Sequence, residues 1–384
     1  MTGQVSGQVD PAFQGVREVF EASFADGQNL GAGVAVYVDG EPVVDLWGGV
    51  ADAHTGRPWE RETPVVAFSC TKAITATAAL RVMADASLSA EAPVSSWWPE
   101  YACAGKESTT TADFFTHRAG LPVIDRTVTA AEAADPELMA KYLAAQSPLW
   151  EPGTRHGYHA LTYGWLTGEI VRRHTGLSVG DYTRRHLSPD LHVGAPAALL
   201  EQIARLSFPP LEEQKWTGDP APIDAASVGR MVAAFRDPES LIMRSATNPR
   251  TAFGKPEVVT GGWPAVGLVA TPRALASFYR DLIAGKLLPE PILRDAIRER
   301  VRGVDEVLGN ISAYGLGYTR PSHNMIVPDA ARPNAFGHPG AGGSIGLGDI
   351  ENRVAFAFIP NLRRDWLAGD RRAYQLLEAV YAAL

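Results

Sequence analysis

Ser69-Cys-Thr-Lys72 is the one S-x-x-K in a chain of 384 residues. On a helix the two residues share a face one turn apart, so the lysine amine can reach the serine hydroxyl. A serine hydroxyl is a weak nucleophile until a base or a positive field acts on it. Lys72 and the N-terminus of a following helix supply both. The plainer alternative is an N-cap serine followed by a surface lysine, and the spacing alone does not separate the two. Two further segments carry suitable groups. Tyr158 sits in a loop after Pro152-Gly153, where an adjacent cation would hold it as phenolate, able to take a proton; a core tyrosine with a satisfied hydroxyl is the alternative. Phe336-Gly-His338-Pro-Gly340 reads as a glycine-bearing strand. Such a strand can aim an amide at a substrate carbonyl and complete an oxyanion hole with the amide of Ser69. A glycine-rich bulge without chemistry is the alternative there.

Other candidates carry less. Gly342-Gly-Ser344-Ile-Gly346 matches the G-x-S-x-G of a nucleophile elbow. That motif needs a following helix and a later histidine; an apolar strand follows instead, and no histidine occurs after His338. His156 and His159 lack the partners of a metal site, so no metal or cofactor is expected, and His159 is expected to line the substrate pocket beside Tyr158. Most of the nine tryptophans read as core. Trp216 and Trp263 fall in a variable region and are expected to face an apolar acyl group.

The elements that must position these residues follow from periodicity. Phe13 to Phe24 reads as an amphipathic helix, and Gly31 to Val38 and Pro42 to Val50 as a hairpin turning at Asp39-Gly40. A short extended stretch ends near Phe68, and a helix runs from Ser69 through Met83. Residues from about 110 to 190 are helix-rich. Thr271 to Ala284 is a helix with Pro272 in its first turn; strands are expected at Tyr314–Tyr318, Gly343–Gly348 and Arg353–Ile359, then a last helix from Arg371. This order predicts an α+β fold: one antiparallel sheet from both chain ends, flanked by helices. Residues 1–68 and 265–384 would form the sheet region and 69–264 a mostly helical region, with a loop-rich insertion at about 191–264 and the active site in the cleft between.

Together, Ser69-x-x-Lys72, Tyr158 and His338-Pro339-Gly340, in this order and spacing, resemble the serine β-lactamase-like superfamily. Within it the chain looks most like class C β-lactamases, family VIII carboxylesterases and related transacylases. Asp113-Phe-Phe-Thr-His117-Arg-Ala-Gly120-Leu-Pro122 and Gly168-Glu-Ile-Val171 fit the same pattern, which spans residue 13 to the C-terminus and is weakest from about 190 to 260. The resemblance implies a β-lactamase/transpeptidase-like fold. It makes Ser69 the nucleophile, Lys72 and Tyr158 its activators and proton carriers, and the amides of Ser69 and Ala341 the oxyanion hole, with His338 and Gly340 against the substrate. Two positions depart from the β-lactamase pattern. His338 stands for the lysine of lysine-threonine-glycine and is mostly neutral at pH 7. Ala160 stands for the asparagine of tyrosine-x-asparagine. Both changes weaken recognition of a β-lactam and leave acylation intact. The expected activity is a carboxylesterase on small or natural-product esters. A transacylase passing the acyl group to an amine or alcohol is the alternative, ahead of a β-lactamase, a DD-peptidase or a non-catalytic binding protein.

Bulk properties agree with a small-molecule ester or amide substrate. Hydrophobic residues make up 46% and charged residues 20%, as in globular proteins. A net charge of −8 argues against nucleic acid or anionic membrane as partner. The first ten residues lack the basic start and apolar run of a secretory signal. With only Cys70 and Cys103 for thiols, the expectation is a reducing, cytoplasmic setting.

Overall fold

The computed structural model describes residues 5–208, 225–364 and 370–384. Six strands are named for the main sheet: β1 (Val5–Val9), β2 (Gly31–Val38), β3 (Glu41–Asp52), β4 (Ala335–Pro339), β5 (Ile345–Asp349) and β6 (Val354–Pro360). They lie in the order β1-β3-β2-β6-β5-β4, all antiparallel, and Arg57–Pro58 adds a seventh short strand beside β3. Both chain ends therefore meet in one sheet, with β2 paired to β6 at its centre. β6 is buried on both faces, with its two phenylalanines on one and its two alanines on the other. Val354, Phe356 and Phe358 enter the core beneath helices α1 (Gln14–Ala25) and α5 (Arg371–Tyr381). Ala355, Ala357 and Ile359 face the other way, where small side chains let helix α4 (Pro272–Ile283) approach closely. The helical region packs on that second face around α2 (Thr71–Asp85) and α3 (Thr162–Thr175). No helix among the described residues is long and apolar enough to cross a membrane.

The hairpin turns where expected: Asp39 and Gly40 take φ of +51° and +86°, as a two-residue turn between twisted strands requires. One strand was not foreseen, and two local expectations need correction. β1 has only two apolar residues and a glycine at φ +116°, so its strand signal was too weak to read. Tyr314–Tyr318 is not a strand throughout. The strand Ile311–Tyr314 stops there, because Gly317, at φ +80°, turns the chain against Ala76 of α2. The loop-rich stretch holds helices at Ala225–Arg236, Leu241–Ala246 and Pro256–Thr260.

Candidate active site

Ser69 sits at a strained entry to α2. Val65-Val66 pairs with Leu268–Ala270, Phe68 takes φ +48°, and a single 3₁₀ turn, Phe68–Cys70, leads into the helix. Ser69 therefore precedes the α-helix by one short turn instead of opening it. A non-glycine residue at positive φ is costly and persists only where its surroundings fix it. Here Thr71 does so: its hydroxyl donates to the Phe68 carbonyl and accepts from the Leu268 amide at 2.9 Å. α2 is buried almost all round, the mark of a central core helix. Lys72, one turn on, is 0% exposed.

The Lys72 Nζ lies 3.2 Å from Ser69 Oγ and donates to the carbonyls of Ala160 at 2.7 Å and Ala265 at 3.2 Å. Burial drives its pKa well below the ordinary lysine value. Close approach of α3 helps set this up. A Cβ on Gly164 would lie 2.4 Å from the Ala265 amide nitrogen, so glycine is needed for the Ala265 carbonyl to reach the amine.

The Tyr158 hydroxyl donates to Ser69 Oγ at 2.9 Å, and the Lys72 Nζ lies over its ring, 4.7 Å from the centroid. The expected phenolate is not favoured. Lys72 meets the ring face and not the oxygen, and burial raises the phenol's pKa above its usual value. Tyr158 is therefore a hydrogen-bond donor at rest. Side chains hold three successive amides of its loop. The Tyr158 amide donates to Asp305 Oδ1 at 2.9 Å, His159 N to His117 Nδ1 at 3.1 Å, and Ala160 N to Ser245 Oγ at 3.0 Å. Asp305 Oδ1 also accepts from the amides of Val307 and Leu308, while Oδ2 takes the Ser312 hydroxyl. Burial raises the Asp305 pKa against these hydrogen bonds and lowers that of His156, whose Nε2 lies 2.9 Å from Ser312 Oγ. Asp305 and Ser245 carried no signal in the sequence: each is a lone polar residue far along the chain from Tyr158. His117 lay in a recognised segment, but its contact with the His159 amide depends on a φ of +59°.

The remaining expected residues divide. His338 lies on β4, fully buried, its ring centroid 6.1 Å from that of Tyr158. Its Nδ1 donates to the Pro339 carbonyl at 2.7 Å, and burial with nearby Lys72 pushes its pKa down to about 3, so it is neutral. Gly340 is dictated by crowding, since a Cβ there would stand 2.4 Å from the Ala67 carbonyl oxygen. That contact brings the turn carrying exposed Ala341 beside the Ser69 turn. His159 has no polar atom left for a ligand: Nδ1 donates to the Gly157 carbonyl at 2.6 Å, and Nε2 accepts from the Leu121 amide at 3.0 Å. Trp263 is 1% exposed and packs against Trp165 and Phe253 in the helical core. It does not face an acyl group; its place between Gly262 and Pro264, in the segment that feeds Ala265 to Lys72, makes it structural. Trp216 lies outside the described residues. Ser344 is buried and precedes a strand, consistent with its rejection as nucleophile. Cys70 is buried and Cys103 exposed, and both are free thiols.

Residues 16–380 match the family described as Beta-lactamase. The chain belongs to the beta-lactamase family. Its relatives in that family include the esterase/beta-lactamase LipL of Mycobacterium tuberculosis, 32% identical over 93% of this chain and 83% of that one. Among solved structures, a family VIII carboxylesterase superposes with a TM-score of 0.86 at 30% identity, covering 99% of this chain and 100% of the other. A penicillin-binding protein homologue from Caulobacter crescentus gives 0.84 at 34% identity, covering 99% and 100%. The beta-lactamase-family chain is a serine hydrolase with the antiparallel sheet and flanking helices expected from its sequence.

Proposed function

We propose that the protein is a carboxylesterase that cleaves esters of small or natural-product acids through an acyl-Ser69 intermediate. One observation carries the reading: half-buried Ser69 Oγ lies between the buried Lys72 amine at 3.2 Å and the Tyr158 hydroxyl at 2.9 Å. A neutral lysine has two N–H groups and one lone pair. The carbonyls of Ala160 and Ala265 take the two hydrogens, which leaves the lone pair for the Ser69 proton. Burial favours this amine form.

In acylation the Ser69 proton passes to Lys72 as Oγ bonds to the ester carbonyl carbon. The carbonyl oxygen becomes an oxyanion, stabilised by the amides of Ser69 and Ala341. When the bond from carbon to the alcohol oxygen breaks, the leaving oxygen takes a proton from the Tyr158 hydroxyl, and the Lys72 ammonium over the ring offsets the charge left on the phenol oxygen. In deacylation a water gives a proton to the phenol oxygen, the water oxygen bonds to the acyl carbon, and Ser69 leaves with a proton. The phenol thus gives up a proton and retakes one from water, and its raised pKa returns it to the donor form between turnovers.

Neutral His338 supports ester over β-lactam recognition, because it offers no fixed positive charge for a substrate carboxylate. Ala160 offers only its carbonyl, already bound to Lys72. The carboxylesterase among the similar structures leans the same way, while the name of the LipL relative carries both activities. Intact-mass measurement after brief exposure to a short-chain p-nitrophenyl ester is expected to show one acyl adduct, absent in Ser69→Ala. Absence of both the adduct and Ser69-dependent turnover would sink the proposal. Product analysis with an added amine tests acyl transfer in the same experiment.

A further inference from the structure

A cavity of about 430 Å³ opens on the surface away from Ser69, Lys72 and Tyr158, none of which lines it. Its charged walls are Arg118, Arg155, Arg300, Arg302 and Glu306, with His156 among its lining residues. Four guanidinium groups thus face one carboxylate. The adjoining cavity shares Arg118 and Arg300 but is balanced, with Arg298 added and Glu91, Asp113 and Glu299 opposite. What an anion could draw on in the first cavity are the guanidinium groups not already tied to a carboxylate.

The arginines differ in how firmly they are held. Arg302 is tied to Glu299 at 2.6 Å, and Arg300 to Asp295 at 2.7 Å and Glu91 at 3.1 Å. Those pairs fix the two side chains, yet Arg300 Nε is buried without a partner. Arg118 and Arg155 meet Asp113 and Glu306 only at 3.9 and 3.8 Å, beyond hydrogen-bond distance. Their N–H groups are the ones left to bind a ligand, and a planar fork of donors suits an oxyanion. Val304, 62% exposed, adds an apolar lip.

We propose that this cavity binds a small doubly charged oxyanion of the phosphate type, held by Arg118 and Arg155 with Arg300 behind them. The site touches the catalytic loop through a chain of groups. His156 is only 6% exposed and reaches Ser312, Ser312 reaches Asp305, and Asp305 holds the Tyr158 amide, each step at 2.9 Å. A bound anion therefore acts on the support of Tyr158 without entering the Ser69 cleft.

Calorimetric titration at fixed ionic strength tests the site, with inorganic phosphate and ribose 5-phosphate as separate probes of the full chain. One saturable site is expected at millimolar affinity or tighter. Arg155→Glu, at an exposed residue outside the acylation machinery, should weaken binding about tenfold or more, and Arg155→Lys less. Ser69→Ala should bind as the wild type does, so the result does not depend on the esterase reading. Binding of both probes supports a site for the free oxyanion, and binding of the ester alone supports a site for an organic phosphate. The idea is overturned by no saturable heat with either probe, by equal affinity in Arg155→Glu, or by binding lost in Ser69→Ala. Movement of the His156 ring resonances on titration is the expected sign of the link to Tyr158.

Discussion

Lys72→Met preserves the length of the buried side chain and removes its nitrogen, and it separates a catalytic base from a merely buried cation. The unfolded chain keeps a proton on Lys72 up to the ordinary value of 10.5, whereas burial holds the folded value well below this. In the window between, the unfolded state binds one more proton than the folded state. Stability then rises with pH by about 1.4 kcal/mol per unit from this residue alone. Between the folded value and 10.5 the wild type should gain on Lys72→Met by about 1.4 kcal/mol for each pH unit, other groups cancelling between the two. The variant also leaves the carbonyls of Ala160 and Ala265 without this donor, at about 1–3 kcal/mol each. That cost is independent of pH, so it offsets the curves without changing their divergence. Urea unfolding at pH 7, 8 and 9 measures the difference, and ester hydrolysis should fall about a hundred- to ten-thousandfold. A difference in stability that stays constant across the range would mean that Lys72 keeps its proton in the fold, and the amine could not be the base.

Three other outcomes follow from the same geometry. Tyr158→Phe keeps the ring over Lys72 but loses the hydroxyl 2.9 Å from Ser69 Oγ; kcat for a p-nitrophenyl ester should drop about a hundredfold or more with little change in KM, and an unchanged kcat would remove the phenol as proton donor. Gly164→Ala puts a Cβ 2.4 Å from the Ala265 nitrogen, so urea unfolding should show a loss of about 1–3 kcal/mol together with reduced activity, as the Ala265 carbonyl is displaced from Lys72. Cys70 is fully buried with its thiol pushed up to about 12 by desolvation, so mass spectrometry after iodoacetamide at pH 8 should find the label on exposed Cys103, and on Cys70 only in denaturant.

The central elements were legible because each carries a strong local pattern. The Asp39-Gly40 turn, the apolar run of β6 and the Thr271 cap of α4 need no distant partner to be read. Ser69 and Lys72 were legible because a helical turn fixes their relation. Tyr158 and the β4 strand carried only weak local signals, a Pro-Gly turn before the one and glycines in the other, and the family pattern joined them to Ser69. What failed to show were relations set by three-dimensional crowding. Gly340 and Gly164 look like ordinary glycines until the Ala67 carbonyl and the Ala265 amide are seen beside them. The phenolate expectation failed for a related reason: adjacency to a lysine was foreseen, but not that the cation would meet the ring face while burial acted on the oxygen.

Burial also explains why four histidines surround the Tyr158 loop without adding charge to it. His117, His156, His159 and His338 all have lowered pKa values, with desolvation the largest cause in each. As neutral rings they can serve as acceptors for backbone amides, as His117 and His159 do, a role closed to the imidazolium form. Their neutrality protects Lys72 as well. A charged imidazole nearby would oppose protonation of the amine during acylation, whereas a neutral one leaves the proton free to move between Ser69, Lys72 and Tyr158. The carboxylate of Asp305 binds the Tyr158 amide and lies on the backbone side, so it fixes where the phenol stands without competing for its proton.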